Sequence, residues 1–286
     1  MTRGLRQYSV HVPGTSELPY LVEQLQDYLA SKINDAVLCV ILHGSVGTNE
    51  IIAYSDLDVL AIIKDNHLTE KEYLRVIKEL TKSLGFFYKF DPLQHHGWFI
   101  IKESQLCNYP QTYFPYEIFQ YSKCVLPRSG IDLTLSFNEL LIDFVGPLRH
   151  LCTSLLYKIE VFWQPKNIYQ LKSFLSEFML LPTFYLQAKG KRGIFKKFSF
   201  NIARQDFSDD EWRIMDTISE IRDNWHYELT GWQQFLLTRF NPKLRKIIVR
   251  LVPPAIPQHL IELMDDIFYS DMKRFVNSAL DKSNAF

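Results

Sequence analysis

Apolar positions recur along this chain at two different periods, and the period changes with position. Across residues 18–33, Leu21, Leu25, Tyr28 and Leu29 are spaced for one face of a helix. Residues 36–42 follow as a short β-branched and apolar run, the pattern of a buried strand, and residues 57–63 form a second such run. Between them, residues 45–52 leave room for about two helical turns. Residues 69–84 read as a helix, with Thr69 as its cap, Glu72 completing a capping box and Gly85 marking its end. Residues 86–90 and 98–102 read as two more strands. Beyond Pro127 and Gly130 the period becomes helical throughout, over residues 137–163, 169–187, 209–227 and 256–280. Pro165, Pro182, Gly190, Gly193, Gly231, Pro253 and Pro254 fall mainly between these segments. The pattern predicts an α+β fold: a small mixed-sheet domain over residues 1–127, then an all-α domain over residues 128–286.

Composition narrows this picture. With 286 residues, the chain can build one large domain or two ordinary ones. Hydrophobic residues at 47% and charged residues at 22% exclude a disordered polymer. A formal net charge of zero argues against a long nucleic acid as partner. The four cysteines lie far apart, with no C-x-x-C pair for zinc or redox chemistry, and are read as reduced thiols. The first twelve residues lack the apolar stretch of a signal peptide, and every apolar run is punctuated by Lys or Asp before it can span a bilayer. A cytoplasmic protein without a membrane partner is expected.

Residues 37–63 carry the chemistry. A buried strand ends at His43, and Gly44 and Ser45 make the turn. A helix starting there directs backbone N–H groups, the Ser45 hydroxyl and a positive dipole end to one place, which suits a phosphate. Gly44 allows close backbone approach. Asp56 and Asp58 then stand two residues apart on the next strand, so both carboxylates leave one face. Two adjacent carboxylates in an apolar strand repel each other, and a cation offsets that repulsion. Oxygen ligands of this kind suit Mg²⁺ or Mn²⁺. A phosphate cradle beside a dicarboxylate metal site is the arrangement of a phosphoryl- or nucleotidyl-transfer centre.

The order Gly-Ser, ten residues, Asp-x-Asp within apolar strands resembles the DNA polymerase beta-like nucleotidyltransferase superfamily. The resemblance covers roughly the first third of the chain. It implies that Gly44 and Ser45 hold a nucleoside triphosphate, that Asp56 and Asp58 bind the metals, and that a third carboxylate activates an acceptor hydroxyl. Asp91 is the candidate for that third position, ahead of Asp65 and Glu103. Where many members that modify small molecules carry Arg or a Gly-Glu pair, this chain reads Gly47-Thr48-Asn49-Glu50, with the acid present and no Arg.

Three further features are weighed. His95 and His96 offer metal or acceptor contacts; as neighbours in a strand, at most one would face the site. The one dense basic patch, residues 187–204, contains Lys189, Lys191, Arg192, Lys196, Lys197 and Arg204. By analogy with related two-domain transferases, Lys196 or Lys197 is expected to reach the triphosphate from the helical domain. The aromatic stretch at residues 109–121 is read as packing between domains, and Arg222 and His226 as structural. The expected activity moves a nucleoside monophosphate from a nucleoside triphosphate to a hydroxyl on a small molecule, protein or RNA end. The second reading is a catalytically inactive nucleotide-binding or regulatory module of a defence or toxin–antitoxin system.

Overall fold

The computed structural model describes residues 4–15, 17–161, 164–239 and 242–286. In chain order the elements are β1 (Leu5–Pro13), α1 (Tyr20–Ile33), β2 (Val37–His43), a single helical turn α2 (Gly44–Gly47), β3 (Asp58–Ile63), α3 (Glu70–Phe90), β4 (Phe99–Lys102), β5 (Lys123–Leu126) and β6 (Gly130–Asn138). Helices follow: α4 (Val145–Glu160), α5 (Ile168–Phe178), α6 (Leu181–Gly190), α7 (Lys196–Ala203), α8 (Asp209–Asp223), α9 (Gly231–Arg239), α10 (Pro242–Leu251), α11 (Gln258–Ile261) and α12 (Asp266–Ser283). The fold class is mixed: a small mixed sheet with helices, then a mainly helical remainder.

The chain divides into two units. One comprises Met1–Leu141 and Leu229–Val252, the other Ile142–Glu228 and Pro253–Phe286. A single cut near Pro127 does not describe this division, because α9 and α10 return to the sheet unit. Their apolar spacing alone carries no mark of which unit they join.

In the sheet unit the strand order is β4-β3-β2-β5. β2 is antiparallel to both β3 and β5, and β3 is parallel to β4. β2 and β3 are apolar on both faces, with six of the seven β2 residues and five of the six β3 residues buried, as their continuous apolar runs require. α1 and α3 supply Val22, Leu25, Leu29, Val76, Leu80 and Phe87 to the same core. A separate antiparallel ribbon joins β1 to β6.

α3 begins as expected. Thr69 Oγ1 accepts from Glu72 N, and Glu72 Oε2 accepts from Thr69 N. It does not stop at Gly85, and the expected strand at residues 86–90 is the last turn and a half of the helix. A mid-helix glycine costs about 1 kcal/mol relative to Ala. Burying Phe87 and Tyr88 against the core returns more, at roughly 1.5–3 kcal/mol for a fully buried large apolar side chain. The helix ends instead at Asp91, whose backbone is extended (φ −136°, ψ 108°) because Pro92 follows it.

Other expectations shift for local reasons. The helical period over 137–163 starts late: β6 runs to Asn138 and α4 covers only Val145–Glu160, while Trp163 lies outside the described residues. Residues 169–187 divide into α5 and α6, since Pro182 lies in the first turn of α6 and marks a new helix start. In the helical unit α12 is central: Phe275 packs against Phe207, Trp212 and Phe178 with ring centroids 4.7–5.9 Å apart. The buried Asp271 carboxylate accepts a two-pronged pair of hydrogen bonds from Arg213, at 2.7 and 2.9 Å. The aromatic stretch at residues 109–121 packs in part on the β1–β6 ribbon, with Tyr109 and Tyr116 against Phe137. Tyr116 lies tilted against Tyr8, with ring centroids 4.5 Å apart, and Phe114 meets the edge of His43 at 4.9 Å.

Candidate active site

β2 delivers its last residue, His43, directly opposite Asp58, the first residue of β3. The chain then turns at Gly44 with φ +63°, a backbone region that only glycine occupies freely. A second constraint acts at the same atom. A Cβ placed on Gly44 would stand 2.4 Å from Asp58 Oδ2. Glycine is therefore required both for the turn and for the carboxylate that packs against it. Ser45 follows, half-buried. The helix after it is shorter than the two turns expected: it ends at Gly47, and the Glu50 N–H closes the loop on the Ser45 carbonyl at 2.8 Å. Asn49, with φ +59°, reverses the chain and ends the helical turn.

Asp56 and Asp58 bracket Leu57. Only Asp58 belongs to β3; Asp56 precedes the strand. The alternation nonetheless holds, because Leu57 is fully buried while both aspartates are part-exposed. Both carboxylates meet the same imidazole: His96 Nε2 lies 2.6 Å from Asp58 Oδ1 and 3.9 Å from Asp56 Oδ2. They therefore share one side of the chain.

What holds this extended segment is Gln94. The pairing of β3 with β4 begins only at Leu60, so Leu57 has no strand neighbour on that side. The fully buried Gln94 carboxamide substitutes for one. Its Oε1 accepts from Leu57 N at 2.9 Å and its Nε2 donates to Leu57 O at 3.1 Å. A buried amide that satisfies a backbone donor and acceptor together fixes the residue between the two aspartates.

Gln94 belongs to the irregular segment between α3 and β4, as do His95 and His96. Because this is not a strand, the alternation that would send neighbouring side chains to opposite faces does not apply. Both imidazoles turn toward Asp56, with His95 Nδ1 at 3.8 Å and His96 Nε2 at 3.9 Å from its Oδ2. The expectation that at most one histidine faces the site is corrected on this point. The segment is held from the far end of the chain. Arg245, on α10 and buried, donates to the carbonyl oxygens of Gln94 and Pro92. Sequence reasoning missed Arg245 entirely; a single arginine in a basic amphipathic helix carries no signal of such a role.

The remaining candidates are placed as follows. Asp91 caps α3, is buried, and its Oδ1 accepts from Leu93 N at 2.9 Å. Asp65 uses both carboxylate oxygens on Ser104. Lys196 and Lys197 are the first two residues of α7 in the helical unit, Lys196 half-buried and Lys197 exposed. His43 is buried behind the turn, in edge contact with Phe99 and Phe114. Burial holds its imidazole down at about 4; the Asp58 carboxylate pulls it up in part, and His96 pushes it further down. No helix among the described residues is long and apolar enough to cross a membrane.

No family model and no curated protein sequence matches this chain. Among solved structures, the spectinomycin adenyltransferase AAD(9) from Enterococcus faecialis, determined with ATP and spectinomycin, is similar over 81% of this chain and 99% of its own. The identity is 14% and the TM-score 0.39, a likeness too slight to carry an argument about this chain.

Proposed function

We propose that this protein is a metal-dependent nucleotidyltransferase. It moves a nucleoside monophosphate from a nucleoside triphosphate to a hydroxyl acceptor and releases pyrophosphate. The observation that carries the reading is the packing of the Asp58 carboxylate against the α-carbon of Gly44. That packing supports the reading that the Gly44–Ser45 turn holds phosphate beside Asp58, where a cation would bridge carboxylate and phosphate oxygens.

In this reading Ser45 and the backbone around Gly44 hold the terminal phosphates of the triphosphate. Asp56 and Asp58 hold Mg²⁺ or Mn²⁺; the donors around them fit a divalent ion, with Asp56 in reach of His95 and His96 and Asp58 in reach of His96. A bound ion supplies Lewis-acid neutralisation of phosphate charge. Asp91 is the candidate base for the acceptor hydroxyl, with its Oδ1 oriented by the Leu93 N–H. Lys196 and Lys197 are proposed as phosphate cations. A small-molecule acceptor fits the neutral charge of the chain better than a long nucleic acid.

The second reading is a nucleotide-binding module without transfer. A single assay separates the two. The protein is incubated with each labelled triphosphate, a divalent ion and a panel of hydroxyl acceptors, and both pyrophosphate release and label transfer are read. Transfer that disappears in Asp58→Ala supports the enzyme. Tight triphosphate binding with no pyrophosphate released under any condition supports the module.

A further inference from the structure

Oxygen-only sites suit Mg²⁺, which dehydrates reluctantly and keeps its waters, whereas imidazole nitrogen suits the first-row transition ions. The site here is not oxygen-only. His95 Nδ1 and His96 Nε2 stand 3.8 and 3.9 Å from one oxygen of Asp56. One donor atom from each of Asp56, His95 and His96 can be chosen so that all three lie within 4.8 Å of one another. Donors around a tetrahedral ion with bonds of about 2.1 Å stand roughly 3.4 Å apart, so small side-chain rotations close this set. Asp58 Oδ1, 2.6 Å from His96 Nε2, is placed to become a fourth donor when an ion displaces the proton between them.

The supports of the cluster matter as much as its members. Gln94 fixes the backbone beside Asp56, and it immediately precedes the two histidines; Arg245 fixes the carbonyl of Gln94. Ligands whose backbone is held by buried hydrogen bonds are preorganised for an ion and do not need ordering by it. All three side chains are part-exposed as residues.

We infer that Asp56, His95 and His96 bind a first-row transition-metal ion in preference to Mg²⁺, and do so without nucleotide. The inference rests on the proposed transferase only for what the ion does in the reaction; binding itself follows from the donor set.

The test is a titration of the full chain with Co²⁺, followed by calorimetry and by visible absorption, with Mg²⁺ in parallel and no nucleotide present. The expected result is Co²⁺ binding at least tenfold tighter than Mg²⁺, with visible bands from nitrogen–oxygen coordination. His95→Ala and His96→Ala should each weaken Co²⁺ by tenfold or more while circular dichroism stays parental. Where either variant fails to fold, His95→Gln, His96→Gln and Asp56→Asn provide the same reading. Equal or tighter Mg²⁺ binding overturns the inference, as does parental Co²⁺ affinity in both histidine variants. Histidine-dependent Co²⁺ binding in a protein that transfers no nucleotide keeps this inference and removes the proposed activity. Transfer supported by Mg²⁺ with no Co²⁺ preference does the reverse.

Discussion

The guanidinium of Arg245 donates to the carbonyl oxygen of Gln94 at 2.7 Å and lies 4.1 Å from the ring centroid of Tyr88. One buried cation thus joins the end of α3, the histidine-bearing segment and a helix 151 residues further along. Removing it leaves the buried carbonyl of Gln94 and the part-buried carbonyl of Pro92 without this donor. Hydrogen bonds to a charged group contribute about 1.5–3 kcal/mol each, so Arg245→Met should lower unfolding free energy by roughly 2–4 kcal/mol. Arg245→Lys should recover only part, because an ammonium lacks the planar fork. Urea denaturation measures both, and a parental midpoint for Arg245→Met would show the clamp to be idle.

Two glycines should respond to alanine in opposite directions. At Gly44 the methyl would clash with Asp58 Oδ2 and the backbone would be held at a positive φ, which costs a side chain roughly 1–2 kcal/mol. Gly44→Ala should destabilise the fold and eliminate transfer. At Gly85, in the middle of α3, a methyl meets nothing within 4 Å. Gly85→Ala should stabilise by about 0.4–1 kcal/mol and leave the site untouched. Thermal melts in which Gly44→Ala is not lowered, or Gly85→Ala is not raised, would contradict the corresponding argument.

His43 sets an acid limit on stability. Its imidazole takes up a proton near 6.5 when exposed and near 4 in the fold, chiefly because of burial. Between those values the unfolded chain binds more protons than the folded one, so stability rises with pH across the window. The contribution is intact above about pH 6.5 and is lost as pH falls toward 4, by on the order of 3 kcal/mol in total. His43→Phe retains an aromatic ring against Phe99 and Phe114 and removes the proton. The loss in urea midpoint between pH 7 and pH 5 should shrink in that variant; an identical loss would assign the acid sensitivity to other groups.

Ser45 is the phosphate contact most open to test. Loss of one hydrogen bond to a charged group costs about 1.5–3 kcal/mol, so Ser45→Ala should weaken triphosphate binding roughly ten- to hundredfold. Titration calorimetry with equal affinity in variant and parent would remove Ser45 from the site.

The lysines of α7 make a separate prediction. Lys196→Ala combined with Lys197→Ala should weaken triphosphate binding, and more so at low salt than at high salt, because a solvent-exposed charge contact is screened over about 10 Å at 0.1 M. A salt dependence identical to that of the parent would exclude both as phosphate contacts.

How much of this was legible in the sequence differs by element. β2 and β3 were plain, because strands buried on both faces read as unbroken apolar runs. The Thr69–Glu72 capping box was plain for the same kind of reason: its chemistry is local. The end of α3 was not, since Gly85 signals a stop that the burial of Phe87 and Tyr88 overrides. Ser45, Asp56 and Asp58 were nominated by spacing alone, and the structure adds the Asp58–Gly44 contact that spacing cannot contain. His95 and His96 were noticed but placed on a strand, and that assignment hid their convergence on Asp56. Gln94 and Arg245 were invisible because each acts on backbone atoms distant in sequence.

The return of residues 229–252 to the sheet unit has a consequence in time. A ribosome that adds about 5–20 residues per second needs roughly 8–30 s to travel from Gln94 to Arg245, whose sequence separation is 151. During that interval the nascent sheet holds its aspartates and histidines without the clamp behind them. Residues 142–228, the first part of the helical unit, are synthesised in the meantime. A chain released after Leu141 would carry every residue of the proposed metal cluster and the Gln94 bonds to Leu57, but would lack the Arg245 clamp on the carbonyls of Pro92 and Gln94.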